Sequence, residues 1–212
     1  MTSFPTSPIL LIHGLVRTKR SMSPLAAFLR KRGYTVYNFA YPSHRGTLQE
    51  HTEALVKYLR EQNVPKDIPL HFITHSLGSL IARSFALQYG NEYSLGRISM
   101  LGPPNQGAQI ARFLLRIPTT KYIFGPVLSD IAHLDIQPAT DLLEVGVIAG
   151  GIGHQMGFLP FVSGDNDGIV SVEETKLEGM KDFIRVAVPH AVLMFSPRVW
   201  RLSLNFLTRG TF

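Results

Sequence analysis

A serine can cleave an acyl bond only if a base takes its proton, a carboxylate orients that base, and donors meet the charge that develops on the carbonyl oxygen. In Thr74-His75-Ser76-Leu77-Gly78 an apolar run gives way to a helical pattern. A sharp strand-to-helix turn of this kind lifts the hydroxyl of its central residue out at the carboxyl edge of a sheet. Small residues are needed two positions to either side, so Gly78 fits and Thr74 departs from the G-x-S-x-G pattern. Without such a turn, Ser76 would be an ordinary helix N-cap.

In a turn of this type the acid and then the base follow the nucleophile along the chain. His133, His154 and His190 follow Ser76, and of these His190 comes directly after a strand-like run, Phe183 to Val188. His133 and His154 are expected on the surface or at helix ends. The acid is expected from Gly164-Asp165-Asn166-Asp167-Gly168-Ile169-Val170, a polar turn between the last two strands, and both Asp165 and Asp167 are open. The turn also copies part of a calcium loop, with Ser163, Asp165, Asp167, Gly168 and Glu174 at offsets one, three, five, six and twelve. Serine stands in the first ligand position and no helix precedes it, so no metal is expected. One oxyanion donor would be the Leu77 N–H, directly after the nucleophile. The other would be the Leu15 N–H, in the loop His13-Gly14-Leu15-Val16 that closes the first apolar run. His13 precedes Ser76 and is expected to hold that loop by side-chain hydrogen bonds. No cofactor enters this chemistry.

The elements that must position these groups alternate. Pro8 to Ile12, Tyr34 to Phe39, Leu70 to Thr74, Arg97 to Leu101, Val145 to Ala149 and Phe183 to Val188 read as strands. Helices are predicted after Ser23-Pro24, after the capping box Thr47-Leu-Gln-Glu50, over Leu77 to Tyr89, and over Pro197 to Leu207. Strands and helices in this rhythm make βαβ units and a mostly parallel, doubly wound α/β domain of about six strands. Residues 107–143 are less regular; Phe113, Leu114, Ile117 and Phe124 could form a short cap or a plain core helix.

The chain has 212 residues, suiting one domain over 1–212, with 45% hydrophobic and 17% charged residues, which excludes disorder and a coiled coil. Its net charge of +6 has no interleaved basic-aromatic pattern, so nucleic acid is not expected. Arg17-Thr18-Lys19-Arg20 and Arg30-Lys31-Arg32 read as solvated helix faces, or as weak attraction to a membrane or lipid surface. The absence of cysteine removes disulfides and thiol nucleophiles. Met1 to Pro8 lacks the features of a secretory leader, and no apolar run reaches the roughly 20 residues of a membrane span. The expected location is cytoplasmic or peripheral to a membrane.

Five segments in order carry a resemblance: Leu-Ile-His13-Gly14-Leu15, Thr-His-Ser76-Leu-Gly78, Leu101-Gly-Pro-Pro-Asn105-Gln-Gly107, Asp165-Asn-Asp167-Gly-Ile-Val170 and Pro189-His190. Together they resemble the small bacterial lipases and esterases of the α/β-hydrolase superfamily, from Ile9 to Phe212. The resemblance implies a compact sheet with little or no cap. It places the nucleophile on Ser76, the base on His190, the acid on Asp167 with Asp165 as alternative, and the oxyanion donors on Leu15 and Leu77. It implies a carboxylester with an apolar acyl group as substrate. Phospholipase, thioesterase or acyltransferase activity, or an idle site used for binding, are the alternatives. Thr74, Ser79 and Pro104 depart from the usual family spelling without removing a reacting group.

Overall fold

In the computed structural model, which describes residues 7–212, the alternating pattern becomes a six-stranded sheet with every neighbouring pair parallel. The leader reading of Met1 to Pro8 falls mainly on residues 1–6, outside the described residues. The strands are β1 (Ile9–Ile12), β2 (Val36–Phe39), β3 (Leu70–His75), β4 (Leu95–Leu101), β5 (Glu144–Gly150) and β6 (Asp182–Val186), in the order β2-β1-β3-β4-β5-β6.

Parallel neighbours need crossovers, and the crossover helices cover both faces of the sheet. Leu10 and Ile12 of β1 enter the core beneath α2 (Leu48–Glu61) and α3 (Leu77–Tyr89). Ile9 and Leu11 enter the opposite core, beneath α1 (Ser23–Arg30) and α8 (Pro197–Arg209). A strand buried on both faces has no polar alternation, which is why Ile-Leu-Leu-Ile reads as one unbroken apolar run.

Local signals set the helix ends. Thr47 and Glu50 form the reciprocal capping box that opens α2. Ser196 accepts from Val199 N–H ahead of Pro197 in α8, which stops at Gly210 in the left-handed region (φ 79°). The irregular stretch between β4 and β5 holds three short helices, α4 (Gln109–Leu114), α5 (Thr120–Phe124) and α6 (Val127–Ala132), interrupted by Pro118 and by Gly125-Pro126. A four-residue helix, α7 (Val172–Thr175), follows the acidic turn. Among the described residues no helix is long and apolar enough to cross a membrane.

Lys19 and Arg20 are exposed on the 3-10 turn Lys19–Met22 and Arg30 on the last turn of α1, so the solvated helix-face reading fits them. Arg17 precedes the 3-10 turn Lys19–Met22 instead of lying on it. Arg30 and Arg32 bond back to the carbonyls of Val36 and Phe28 at the end of α1.

The register pairs Ile12 with Thr74, His75 with Leu101 and Gly150 with Val186. The loops after β1, β3, β4, β5 and β6 therefore emerge along one carboxyl edge, where open α/β sheets bind ligands.

Candidate active site

At the end of β3 the backbone of Ser76 is bent to φ 52°, ψ −123°, a conformation L-residues rarely adopt, and its side chain does not cap α3. Steric demand explains Gly78: a Cβ there would lie 2.5 Å from the Ile12 carbonyl oxygen and 2.8 Å from that of His13. The Ser76 N–H is fixed by the Leu101 carbonyl at 3.0 Å. The two departures from the family spelling in this turn are partners. The Thr74 and Ser79 hydroxyls, both fully buried, hydrogen-bond each other at 2.8 Å, so each satisfies the polar atom the other brings into the core.

The first loop passes close over this turn, since a Cβ on Gly14 would come within 3.0 Å of Ser76 Cβ. Leu77 is the first residue of α3, where an α-helix leaves its N–H without an intrahelical partner. Leu15 lines the same cavity as Ser76. His13 is buried, stacks on Tyr41 with ring centroids 4.3 Å apart, and contacts the Gly14 carbonyl through Nδ1 at 3.0 Å. The Tyr41 hydroxyl donates to the His13 carbonyl at 2.7 Å.

After β5, Asp167 is buried and divides its carboxylate between two tasks. Oδ1 accepts the N–H groups of Ile169 and Val170 at 3.0 and 2.8 Å. Oδ2 meets His190 Nδ1 at 2.7 Å, and the His190 N–H bonds the Asp167 carbonyl at 2.8 Å, so the two residues are tied twice. Asp165 is turned elsewhere. It accepts from the N–H groups of Ile152 and Gly153 and from Arg185. Desolvation pushes its pKa up, but those N–H groups and Arg185 outweigh it and hold the carboxyl below its usual range.

The calcium-loop pattern dissolves in the same way. Asp165, Asp167 and Glu174 each serve different partners, Glu174 closing a capping box with Ser171 and bonding Gln109 N–H and Arg112. No cluster of three or more His, Cys, Asp or Glu fit to hold a metal occurs among the described residues.

Ser76, His190 and Leu15 open on one cavity of about 420 Å³. Its wall is apolar, built by Ile110 and Leu114 of α4, Phe124 of α5 and Leu128 and Ile131 of α6, so the irregular segment lines the site. No hydrogen bond joins the Ser76 hydroxyl to His190 among the described residues, and such contacts commonly tighten only around substrate. His133 is an exposed C-cap of α6 and His154 is exposed, as their positions in sequence led us to expect.

Residues 9–144 match the alpha/beta hydrolase family. The chain belongs to that family. Over 130 residues it is 29% identical to palmitoyl-protein thioesterase 3 of Dictyostelium discoideum, covering 58% of this chain and 44% of that protein. It thus spans less than half the length of that curated relative. The fold is similar to that of the mature Bacillus licheniformis lipase BlEst2, with TM-score 0.75 and 19% identity over 100% of this chain and 95% of that one. It is also similar to the metagenomic carboxyl esterase MGS0156, with TM-score 0.71 and 11% identity over 90% and 66% of the two chains. Phospholipase PlaB of Legionella pneumophila aligns with TM-score 0.60 and 19% identity over 81% and 45%.

Several residues of this family member that support the site carried no sequence signal of their own. His75 lies beneath His190, with ring centroids 4.7 Å apart, and contacts the His190 carbonyl through Nε2 at 3.1 Å. Asn166 is fully buried and folds the 156–168 loop around its carboxamide, which accepts from Leu159 and Gly168 N–H and donates toward the Val162 and Gly164 carbonyls. Arg83 of α3 reaches the carbonyls of Asn105, Ile136 and Gln137, and burial pulls its pKa down to about 10. It ties α3 to the segments on either side of the cavity wall.

Burial also sets how this protein responds to acid. Desolvation lowers His13 to about 4 and pushes His51 and His75 down as well. These imidazoles are neutral when folded and take up protons on unfolding below the ordinary value of 6.5. The unfolded chain then binds more protons, so stability present above pH 6.5 is lost as pH falls from there toward 4. Thermal unfolding at pH 7 and at pH 5 is expected to show a clear drop in midpoint at the lower pH; equal midpoints would contradict it.

Proposed function

We propose that the protein is a serine hydrolase cleaving carboxylic esters with an apolar acyl group. The observation that carries this reading is the strained Ser76 turn sharing an apolar cavity with His190, which the buried Asp167 behind it ties twice. The Ser76 hydroxyl gives its proton to His190 Nε2 as Oγ bonds the ester carbonyl carbon. The oxyanion is held by the Leu15 and Leu77 N–H groups, and loss of one such donor typically costs about 2.7–4 kcal/mol of barrier. Collapse breaks the ester bond while His190 returns the proton to the departing alcohol. Water, deprotonated by His190, then attacks the acyl-enzyme, and the acid leaves with the Ser76 hydroxyl restored. Asp167 keeps the Nδ1 proton in place, so that Nε2 is free to accept.

The match to a palmitoyl-protein thioesterase favours a second substrate for the same machinery, an acyl thioester. Phe113 and Phe161, 56% and 87% exposed, line a separate groove that shares Ile110 with the cavity, and they fit weak association with a lipid surface. A fluorophosphonate probe is expected to label the folded chain on the peptide carrying Ser76. Turnover of p-nitrophenyl esters should then rise with acyl length until the cavity is filled. A folded chain left unlabelled would overturn the enzyme reading in favour of an idle, binding site.

A further inference from the structure

The apolar cavity contains a cationic side chain that ester cleavage by Ser76, His190 and Asp167 does not use. Arg17 lines the wall two residues beyond Leu15, and apart from the histidines it is the one ionisable residue among the described residues that line the cavity. Its guanidinium has no hydrogen-bond or ion-pair partner among the described residues, whereas its carbonyl is pinned by the Ser43 hydroxyl at 3.3 Å. The preceding residue is strained. Val16 is β-branched yet sits at φ 53°, a costly conformation that leaves its own side chain 54% exposed while Arg17 is half-buried. Arg17 is also close enough to act on His75, whose neutral form is favoured first by burial, then by His190, and in part by the Arg17 charge.

A half-buried cation in an apolar wall lacks the anion that would offset its lost hydration. A guanidinium presents a planar fork matched to the paired oxygens of an oxyanion, phosphate above all in acyl-bearing amphiphiles. We infer that Arg17 is a specificity-determining residue that binds a phosphate on the substrate, so that the preferred compounds join an apolar acyl chain to a phosphate-bearing alcohol or thiol. This rests on the acyl-cleaving reading of Ser76 and deepens it. The acyl chain lies against α4 and α6, the carbonyl meets Ser76, and the phosphate reaches the loop after β1. The phosphate could be that of a lipid head group or that of coenzyme A, and the two are separable.

The experiment compares kcat/KM within two matched pairs, used below their micelle-forming concentrations. One pair is octanoyl-glycerol phosphate against monooctanoylglycerol; the other is octanoyl-coenzyme A against octanoyl-N-acetylcysteamine. In at least one pair the phosphate-bearing member should be preferred, and Arg17→Gln should lower that ratio by roughly 10- to 100-fold, the range of one charge-assisted hydrogen bond. Arg17→Lys should recover part of it. Arg20→Gln, which alters a cation outside the cavity, should leave the ratio as it is. A response in the first pair assigns the site to lipid phosphates, and one in the second assigns it to coenzyme A. An unchanged ratio, or an equal fall for both members of each pair, would overturn the inference. Failure of the parent reading is seen separately: a chain unlabelled by fluorophosphonate loses both, whereas one labelled at Ser76 without an Arg17-dependent ratio loses only this one.

Discussion

Asp167→Asn is expected to lower kcat by about 10⁴-fold with little change in the thermal midpoint. The reason lies in how the carboxylate is held. Oδ1 faces two backbone N–H groups, from Ile169 and Val170, and those groups require an acceptor. An asparagine must therefore keep its oxygen there and turn its NH₂ toward His190 Nδ1, where Oδ2 now sits at 2.7 Å. Facing a donor, Nδ1 becomes the acceptor and the ring proton moves to Nε2, the tautomer unable to receive a proton from Ser76. Asp165→Asn makes the contrast. Asp165 serves Arg185 and the N–H groups of Ile152 and Gly153, so its loss should cost no more than a few-fold in kcat and about 1 kcal/mol in stability. Steady-state turnover of a short p-nitrophenyl ester by both variants decides the matter. A large loss on Asp165→Asn with turnover kept in Asp167→Asn would reverse the assignment.

Gly102→Ala should lower turnover sharply although it replaces no reacting group. Gly102 follows β4 at φ +54°, and a Cβ there would fall 2.9 Å from Asp167 Oδ2, 3.0 Å from His190 Nδ1 and 2.9 Å from Leu193 Cδ1. The added methyl group would press on the Asp167–His190 hydrogen bond, which orients the proposed base. Displacement of a positioned group by about 1 Å can cost about 10²-fold in rate, and overpacking adds about 1–3 kcal/mol to the backbone penalty of an alanine at positive φ. Gly164→Ala separates the two costs. Gly164 has a similar φ of +79° but open space around the missing Cβ, so it should show only the backbone penalty of about 1 kcal/mol and unimpaired turnover. Equal turnover by Gly102→Ala and Gly164→Ala would show that the contact on the pair is harmless.

These two positions mark the limit of what could be read before the fold was known. The residues gathered at the sheet edge were legible because their signals are local: a strand-to-helix turn around Ser76, a histidine directly after an apolar strand, a polar turn between two strands. Helix α3 matches its predicted span of Leu77 to Tyr89, and the capping box at Thr47 opens α2, because each depends on residues three or four apart. What stayed hidden depends on contacts between distant segments. Nothing near Gly102 in the chain announces that Asp167 and His190 will pack against it. Thr74 and Ser79 looked like two separate departures until the turn brought their hydroxyls together. Arg17 reads as one of a run of basic residues, and only the path of the β1 loop puts it in the cavity wall while Lys19 and Arg20 stay outside. The 107–143 stretch was illegible for the opposite reason. Its helices are only five or six residues long, too short for a periodic signal, and they are held by the cavity they line.

The sheet order carries a consequence for how the protein comes into being. β1, β2 and β3 pair within the first 75 residues, so the half of the site holding Ser76 can take shape early in synthesis. The other half waits for the end of the chain, because His190 follows β6 and contacts His75 from 115 residues away. Pairings over such distances are slow to form. A nascent or refolding chain should thus acquire a compact body well before it acquires an oriented base, remaining chemically silent until its last strand docks. On the proposed function, recovery of ester turnover during refolding would then time the closing step of assembly, which spectroscopic signals from the earlier strands would miss.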